Sequence, residues 1–491
     1  MVRMDYSEIS LPMAARYIAI ALCLLLAGPV WAGEALNLNL PDIGDPSRNA
    51  LSASQEKLLG KRYMDALRRE TPILTDPEVV EYVNDIGQRL VTHCDAPDYG
   101  FQFFVVDSSE VNAFAMPGGY IGINSGLLLA ADNENELAAV MAHEIAHVTQ
   151  HHIARTFAEA RKMDIRTGAL LLASVLVGLA NPQAGSAAAV TSMAGTAQHQ
   201  LAFSREHERE ADRVGMSTLE AAGFNPEGMP DFFEKLMRED RYQAQPPAWL
   251  VDHPLTKSRL ADAQARAASY PKHPYHTSGE FPFIKARVRV LDSSDPAQAV
   301  SYFKNTLSDA KGKEVQVAEF GLSLALDAAN DHAGAEKRLR QLLKQRGDFI
   351  PYLLATAAVE RNAGQLQKSL KTSRQALSLY PDDYALNVGY ARTLIEAQKP
   401  RQAQQVLAAL LENHRDDPML FHLQAKAAGA AGNIVEGQLS MAGYYHALGD
   451  ISSALRQLHA VLKESQADNY QKSRAAALQT QWRQEQKNDK D

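Results

Sequence analysis

The chain has 491 residues, 46% of them hydrophobic and 22% charged, a balance that excludes a disordered, a collagen-like and a polytopic membrane chain. Its 50 Lys and Arg against 58 Asp and Glu leave a net charge of −8, which argues against a general nucleic-acid binder. At ~150 residues per domain, the length suggests about three units.

At the N-terminus, Arg3 and Arg16 precede an apolar run at 17–28, followed by Pro29, Val30, Trp31, Ala32 and Gly33. A basic start, a short apolar stretch and a small residue at the exit read as a secretory signal peptide over 1–32, with a retained anchor as the alternative. Only Cys94 then remains, so no internal disulfide forms and stability must come from packing. An extended leader follows over 33–55. Helical signals cover 55–69 and 76–91, the second opening on Asp76-Pro77-Glu78. Residues 101–107 and 120–124 read as strands, the latter behind the Pro117-Gly118-Gly119 turn.

From Asp132 to about Ala160 the pattern is helical, with Glu134 and Glu136 suiting the positive N-terminal end. An apolar run at 168–180 falls short of the ~20 residues a membrane span needs, and reads as a covering helix or as a peripheral membrane contact. Residues 204–222 are helical again and stop at Gly223. Three prolines between 271 and 282 suggest a linker.

Beyond it the sequence repeats every 34 residues: Leu343, Leu377 and Leu411; Ala357, Ala391 and Ala425; small residues at Ala335, Ser369, Ala403 and Gly437; turn positions at Asn330, Gly364, Gln398 and Gly432. A 34-residue helix–turn–helix period is the tetratricopeptide (TPR) signature. Gly449-Asp450 with Ala454 repeats the turn after only 17 residues, which implies an extra or re-phased helix. The expected fold is mainly α with a small β-sheet. A first domain is expected over 33–270 and a linker over 271–283. A TPR α-solenoid fills 284–480, and a polar tail 481–491.

The chemistry lies in His143-Glu144-Ile145-Ala146-His147. Residues i and i+4 share a helix face, so both imidazoles can reach one Zn²⁺ ion per subunit. The metal lowers the pKa of a water towards ~7, and Glu144 is placed to take its proton as general base. The extended metzincin form fails, because positions 150 and 153 hold Gln150 and Ile153. A third ligand must come from Ser204-Arg205-Glu206-His207-Glu208-Arg209-Glu210-Ala211-Asp212. Glu208, Ala211, Asp212, Gly215 and Leu219 form one helical stripe, the face that should turn inward. Glu206 and Glu210 lie where Arg205, Arg209 and Arg213 can pair with them. Glu208 is therefore the expected third ligand. Asp212 would accept the spare N–H of a ligand histidine. His151 and His152 are read as solvated.

These motifs, with Ser-Arg-x-x-Glu-x-Glu-Ala-Asp-Arg after the His-Glu-x-x-His helix, resemble the gluzincin peptidases related to the CAAX prenyl endopeptidases, which implies a zincin-like metalloprotease domain over 33–270. The resemblance implies the same roles for His143, Glu144, His147, Glu208 and Asp212. It also implies a periplasmic endopeptidase whose clients are unfolded or misfolded outer-membrane β-barrel proteins, and whose TPR domain meets the barrel-assembly machinery. Asn112 to Gly119 matches the family's segment beside the active-site edge strand. In that light Gly119, Tyr120, Ile121, Gly122 and Ile123 would hold an extended substrate by strand addition. The stretch from His253 to Arg259 matches a further motif. His253 either lies at the surface or fills the open zinc position as a fourth ligand or switch; Arg259 could polarise the substrate carbonyl. The alternative is a TPR chaperone or adaptor with a latent or self-inhibited zinc site.

Overall fold

The computed structural model describes residues 51–162, 197–241, 246–272, 274–275 and 277–488. The expected signal peptide and the apolar run at 168–180 lie outside these residues. Helix α1 (Ala53–Glu70) opens on a capping box, in which Ser52 Oγ accepts from the Gln55 N–H at 3.3 Å and Gln55 accepts from the Ser52 N–H at 2.9 Å. Helix α2 (Pro77–Val91) starts at Asp76, whose side chain accepts from the Val79 N–H, with Pro77 where a missing N–H costs nothing.

Strands β1 (Ile73–Leu74), β2 (Gln102–Val106), β3 (Ala113–Met116) and β4 (Tyr120–Asn124) form one sheet in the order β1-β2-β4-β3. This corrects the expected edge strand. Tyr120, Ile121, Gly122 and Ile123 pair parallel with β2 on one side and antiparallel with β3 on the other, and Gly119 closes the turn before them. The edge is β3, hidden in the sequence by its shortness and its Ala-Phe-Ala-Met pattern. The Asn124 N–H donates to the Asn112 carbonyl at 3.0 Å. Antiparallel alternation therefore turns the peptide groups of Ala113 and Ala115 away from β4.

After helix α3 (Ser125–Ala130), helix α4 (Glu134–Thr149) runs through the core of the N-terminal half, capped by Asn133 and buried along nearly all its length. The expected single helix to about residue 160 breaks at His151, which takes a left-handed φ of 53° before helix α5 (His152–Lys162) begins. Helix α6 (Ala197–Ala221) packs against α4. Gly215 permits the contact: a Cβ there would lie 3.0 Å from the backbone of Ala142 and His143. Helices α7 (Gly228–Asp240), α8 (Ala248–Asp252) and α9 (Lys257–Ala267) complete this half. Among the described residues no helix is long and apolar enough to cross a membrane.

Helix α10 (Phe281–Leu291) begins inside the expected linker and serves two cores. Phe281, Ile284 and Val288 pack into the N-terminal core, while Phe283 and Ala286 pack into the helical array. In the array, helices begin at His332, Leu366, Pro400 and Ile434, 34 residues apart. Each follows an expected turn residue held at positive φ: Asn330 at 63°, Gly364 at 73°, Gln398 at 57° and Gly432 at 73°. Ala335, Ser369 and Ala403 are fully buried between helices. Gly449 repeats that turn at 75°, and the helix Ile451–Lys463 starts there, half a period on. The last helix, Asn469–Asn488, runs through the start of the expected tail, because Trp482 is buried against the His446 ring at 4.2 Å.

The N-terminal half also caps the array. Glu81 on α2 accepts the backbone N–H groups of Tyr384 at 2.8 Å and Ala385 at 2.9 Å, at the start of helix Tyr384–Glu396. Burial, and then the charge of Asp383, push its pKa from 4.5 to about 8. A raised carboxylate pKa means the fold favours the protonated form. Its contribution is therefore complete below the unfolded pKa and lost as pH rises through the folded one. We expect the thermal midpoint to fall between pH 5 and pH 9, and Glu81→Gln to flatten that slope by raising the midpoint at pH 9. An unchanged slope in calorimetry would show that Glu81 does not titrate in this contact.

Candidate metal centre

Helix α4 places His143 and His147 one turn apart on the face that meets α6, with their Nε2 atoms 3.0 Å from each other. From α6, Glu208 brings its carboxylate oxygens to 3.4 Å from each of those nitrogens. His253, the residue that ends α8, adds its Nδ1 at 3.3 Å from His143 Nε2 and 3.1 Å from Glu208 Oε1. One ligand atom from each of these four residues lies within 4.8 Å of all the others. Ligand atoms around a tetrahedral ion with ~2.1 Å bonds are ~3.4 Å apart, so the four donors fit one metal ion. With neutral histidines, the carboxylates of Glu144, Glu208 and Asp212 against the one guanidinium of Arg259 leave two negative charges, the complement of a divalent cation.

The surroundings hold the donors in place. His143 Nδ1 lies 3.0 Å from Asp212 Oδ1, which leaves Nε2 to face the cluster. Burial works to lower the His143 pKa, but Asp212 and Glu208 outweigh it and raise the pKa to about 9. Burial likewise opposes the Glu208 carboxylate, yet the charge of His253 and hydrogen bonds from the histidines hold its pKa well below the usual carboxylate range. The inward stripe on α6 falls where its periodicity puts it, with Glu208, Ala211, Asp212 and Gly215 buried and Glu206 exposed.

Arg259 requires a correction. It is 1% exposed, donates from Nε and Nη2 to the two Asp212 oxygens at 2.7 Å each, and from Nη1 to Pro254 O at 3.0 Å, with Glu208 Oε2 also 3.0 Å from Nη1. Its donors are spent on the inner carboxylates rather than facing a substrate carbonyl. His152 also differs from expectation. It is 3% exposed rather than solvated, its Nδ1 sits 2.9 Å from His147 Nδ1, and burial pushes its pKa down.

Sequence reasoning missed Trp249. This residue is fully buried on α8, stacks on the His253 ring at 4.9 Å, and has Nε1 3.4 Å from Glu144 Oε1. The signal available was its i, i+4 spacing to His253. Glu144 itself is buried beside the cluster, with Oε1 3.4 Å from His253 Nε2. Histidines and a carboxylate around one ion, with a second carboxylate beside it, suit hydrolysis of a carbonyl compound.

Comparison with known proteins agrees with this chemistry. Residues 77–267 match peptidase family M48, and residues 361–427 match the tetratricopeptide repeat. The beta-barrel assembly-enhancing protease of Escherichia coli (strain K12) is 33% identical over 445 residues, 91% of this chain and 91% of that protein. The putative beta-barrel assembly-enhancing protease of Vibrio cholerae serotype O1 is 35% identical over 420 residues, 84% of this chain and 86% of that one. The mitochondrial metalloendopeptidase OMA1 of Schizosaccharomyces pombe is 28% identical over 186 residues, 36% of this chain and 50% of its own length.

Proposed function

The chain belongs to peptidase family M48, among its beta-barrel assembly-enhancing proteases, and on that premise we propose that its buried His–Glu cluster is a zinc site that cuts unfolded outer-membrane β-barrel proteins in the periplasm. The observation that carries this reading is the convergence of His143, His147 and Glu208 beside a second carboxylate, Glu144, that none of the ligand positions requires. His143, His147 and Glu208 would hold one zinc ion, which when bound would supply Lewis acidity to polarise a scissile carbonyl and lower the pKa of a water to ~7.

The protein's own groups do the rest. Glu144 takes the proton of the attacking water and returns it to the leaving amine, with the Trp249 N–H steadying its carboxylate. Asp212 orients His143, and Arg259 in turn holds Asp212. The substrate would add as a strand to β3, pairing with the outward peptide groups of Ala113 and Ala115, which are buried here and come within reach once the site opens. An unfolded chain offers such a segment and a folded one rarely does. The TPR array would present clients to this edge, or meet the assembly machinery.

His253 gives this reading a regulated form. As a fourth protein ligand it would close the zinc site, the feature that separates structural from catalytic zinc. That same closure favours the second reading, a chaperone or adaptor whose zinc site stays latent. Movement of α8, which carries Trp249 and ends at His253, would open the site. With an unfolded β-barrel protein as substrate, we expect zinc-loaded His253→Ala to cut at least about tenfold faster than wild type, as an open position requires. Equal rates would refute closure by His253. Absence of cleavage by both forms, each with zinc bound, would leave the adaptor reading in possession.

A further inference from the structure

We propose that His152 is a positioning residue for His147, fixing its tautomer through a chain that ends on Glu210 and Arg155. The inference rests on the reading of His147 as a metal ligand. His143 has a carboxylate, Asp212, behind its outer nitrogen. Among the described residues the outer nitrogen of His147 meets another imidazole instead, at 2.9 Å.

Proton positions follow from that contact. A ligand imidazole uses the lone pair of one nitrogen and carries its proton on the other. With Nε2 facing the cluster, His147 carries the proton on Nδ1 and donates it to His152 Nδ1. His152 must then hold its own proton on Nε2, which lies 3.2 Å from Glu210 Oε2. Arg155 Nη1 donates to the same oxygen at 2.6 Å, fixing the carboxylate as the end of the chain. Each contact has one donor and one acceptor, so only one assignment satisfies them all. The His207 ring, stacked on His152 at 4.2 Å and 9°, holds it flat in place.

The backbone is built for this contact. In a continuous α-helix, residues five apart lie about 140° round from each other and do not meet. The helix ends at Thr149, and left-handed His151 (φ 53°) turns the chain so that His152 starts α5 facing His147. A non-glycine residue at that φ is uncommon and costs conformational energy. What the break achieves is the return of residue 152 to residue 147.

The test is zinc affinity of the full chain, measured by chelator competition, beside the thermal midpoint of the metal-free protein. His152→Phe keeps the ring and its stacking but removes both nitrogens, and is expected to weaken zinc by about 10–100-fold. His152→Asn restores an acceptor near the Nδ1 position and should recover most of that loss. Glu210→Gln, at a partly exposed position, should weaken zinc by a smaller factor without touching the fold. Wild-type affinity in His152→Phe would overturn the proposal, as would equal weakening in Phe and Asn that tracks a lowered midpoint. If His152→Phe does not fold, an unchanged affinity in Glu210→Gln overturns it. His147→Ala in the same assay separates the two levels: if it leaves zinc affinity unchanged, the ligand assignment itself is wrong.

Discussion

Glu144→Gln is expected to lower turnover on an unfolded substrate by roughly 10²–10⁴-fold, the usual contribution of a positioned general base. The same variant should keep its metal, because Glu144 lies outside the four-residue donor set. Gln has nearly the same shape, and its carbonyl oxygen can still accept from the Trp249 N–H, so the buried side chain stays in place. What it loses is the ability to take a proton. The comparison is best made in the His253→Ala background, where closure of the site does not mask the chemical step. Turnover within tenfold of the parent would place the base elsewhere.

Arg259→Leu should cost about 3–5 kcal/mol of stability, the penalty for breaking a buried ion pair and leaving its partners charged. The guanidinium is 1% exposed and touches both Asp212 oxygens and one oxygen of Glu208. Removing it leaves two buried carboxylates facing each other across the His143 ring. Lysine cannot reproduce the paired contact with Asp212, so Arg259→Lys should fall between. Denaturant unfolding of the metal-free protein, followed at the buried Trp249, reads this effect. If Arg259 instead touched the substrate, Arg259→Leu would raise KM and leave the unfolding midpoint where it was.

What was legible in the sequence was whatever depended on local periodicity. The His143/His147 pair and the Glu208–Asp212 stripe each follow from 3.6 residues per turn, and both lie on the faces that periodicity assigns. The 34-residue register even located the left-handed turns at Asn330 and Gln398, where no glycine marks them. Features set by distant partners were not legible. The four residues of β3 carry no alternation, so the inner position of β4 could not be seen. The direction of Arg259 depends on Asp212, 47 positions away, and that of Trp249 on Glu144, 105 away. His152 was misread because the break at His151 replaces the helix that its surroundings suggest.

The most direct test of the metal assignment is the zinc content of purified full-length protein, wild type beside Glu208→Ala and Glu144→Gln. The geometry predicts one tightly held zinc per chain in wild type and in Glu144→Gln, and a large loss in Glu208→Ala, which removes a carboxylate that meets both helix histidines. Full zinc in Glu208→Ala, or none in wild type after zinc loading, would contradict the assignment of His143, His147 and Glu208 as its ligands.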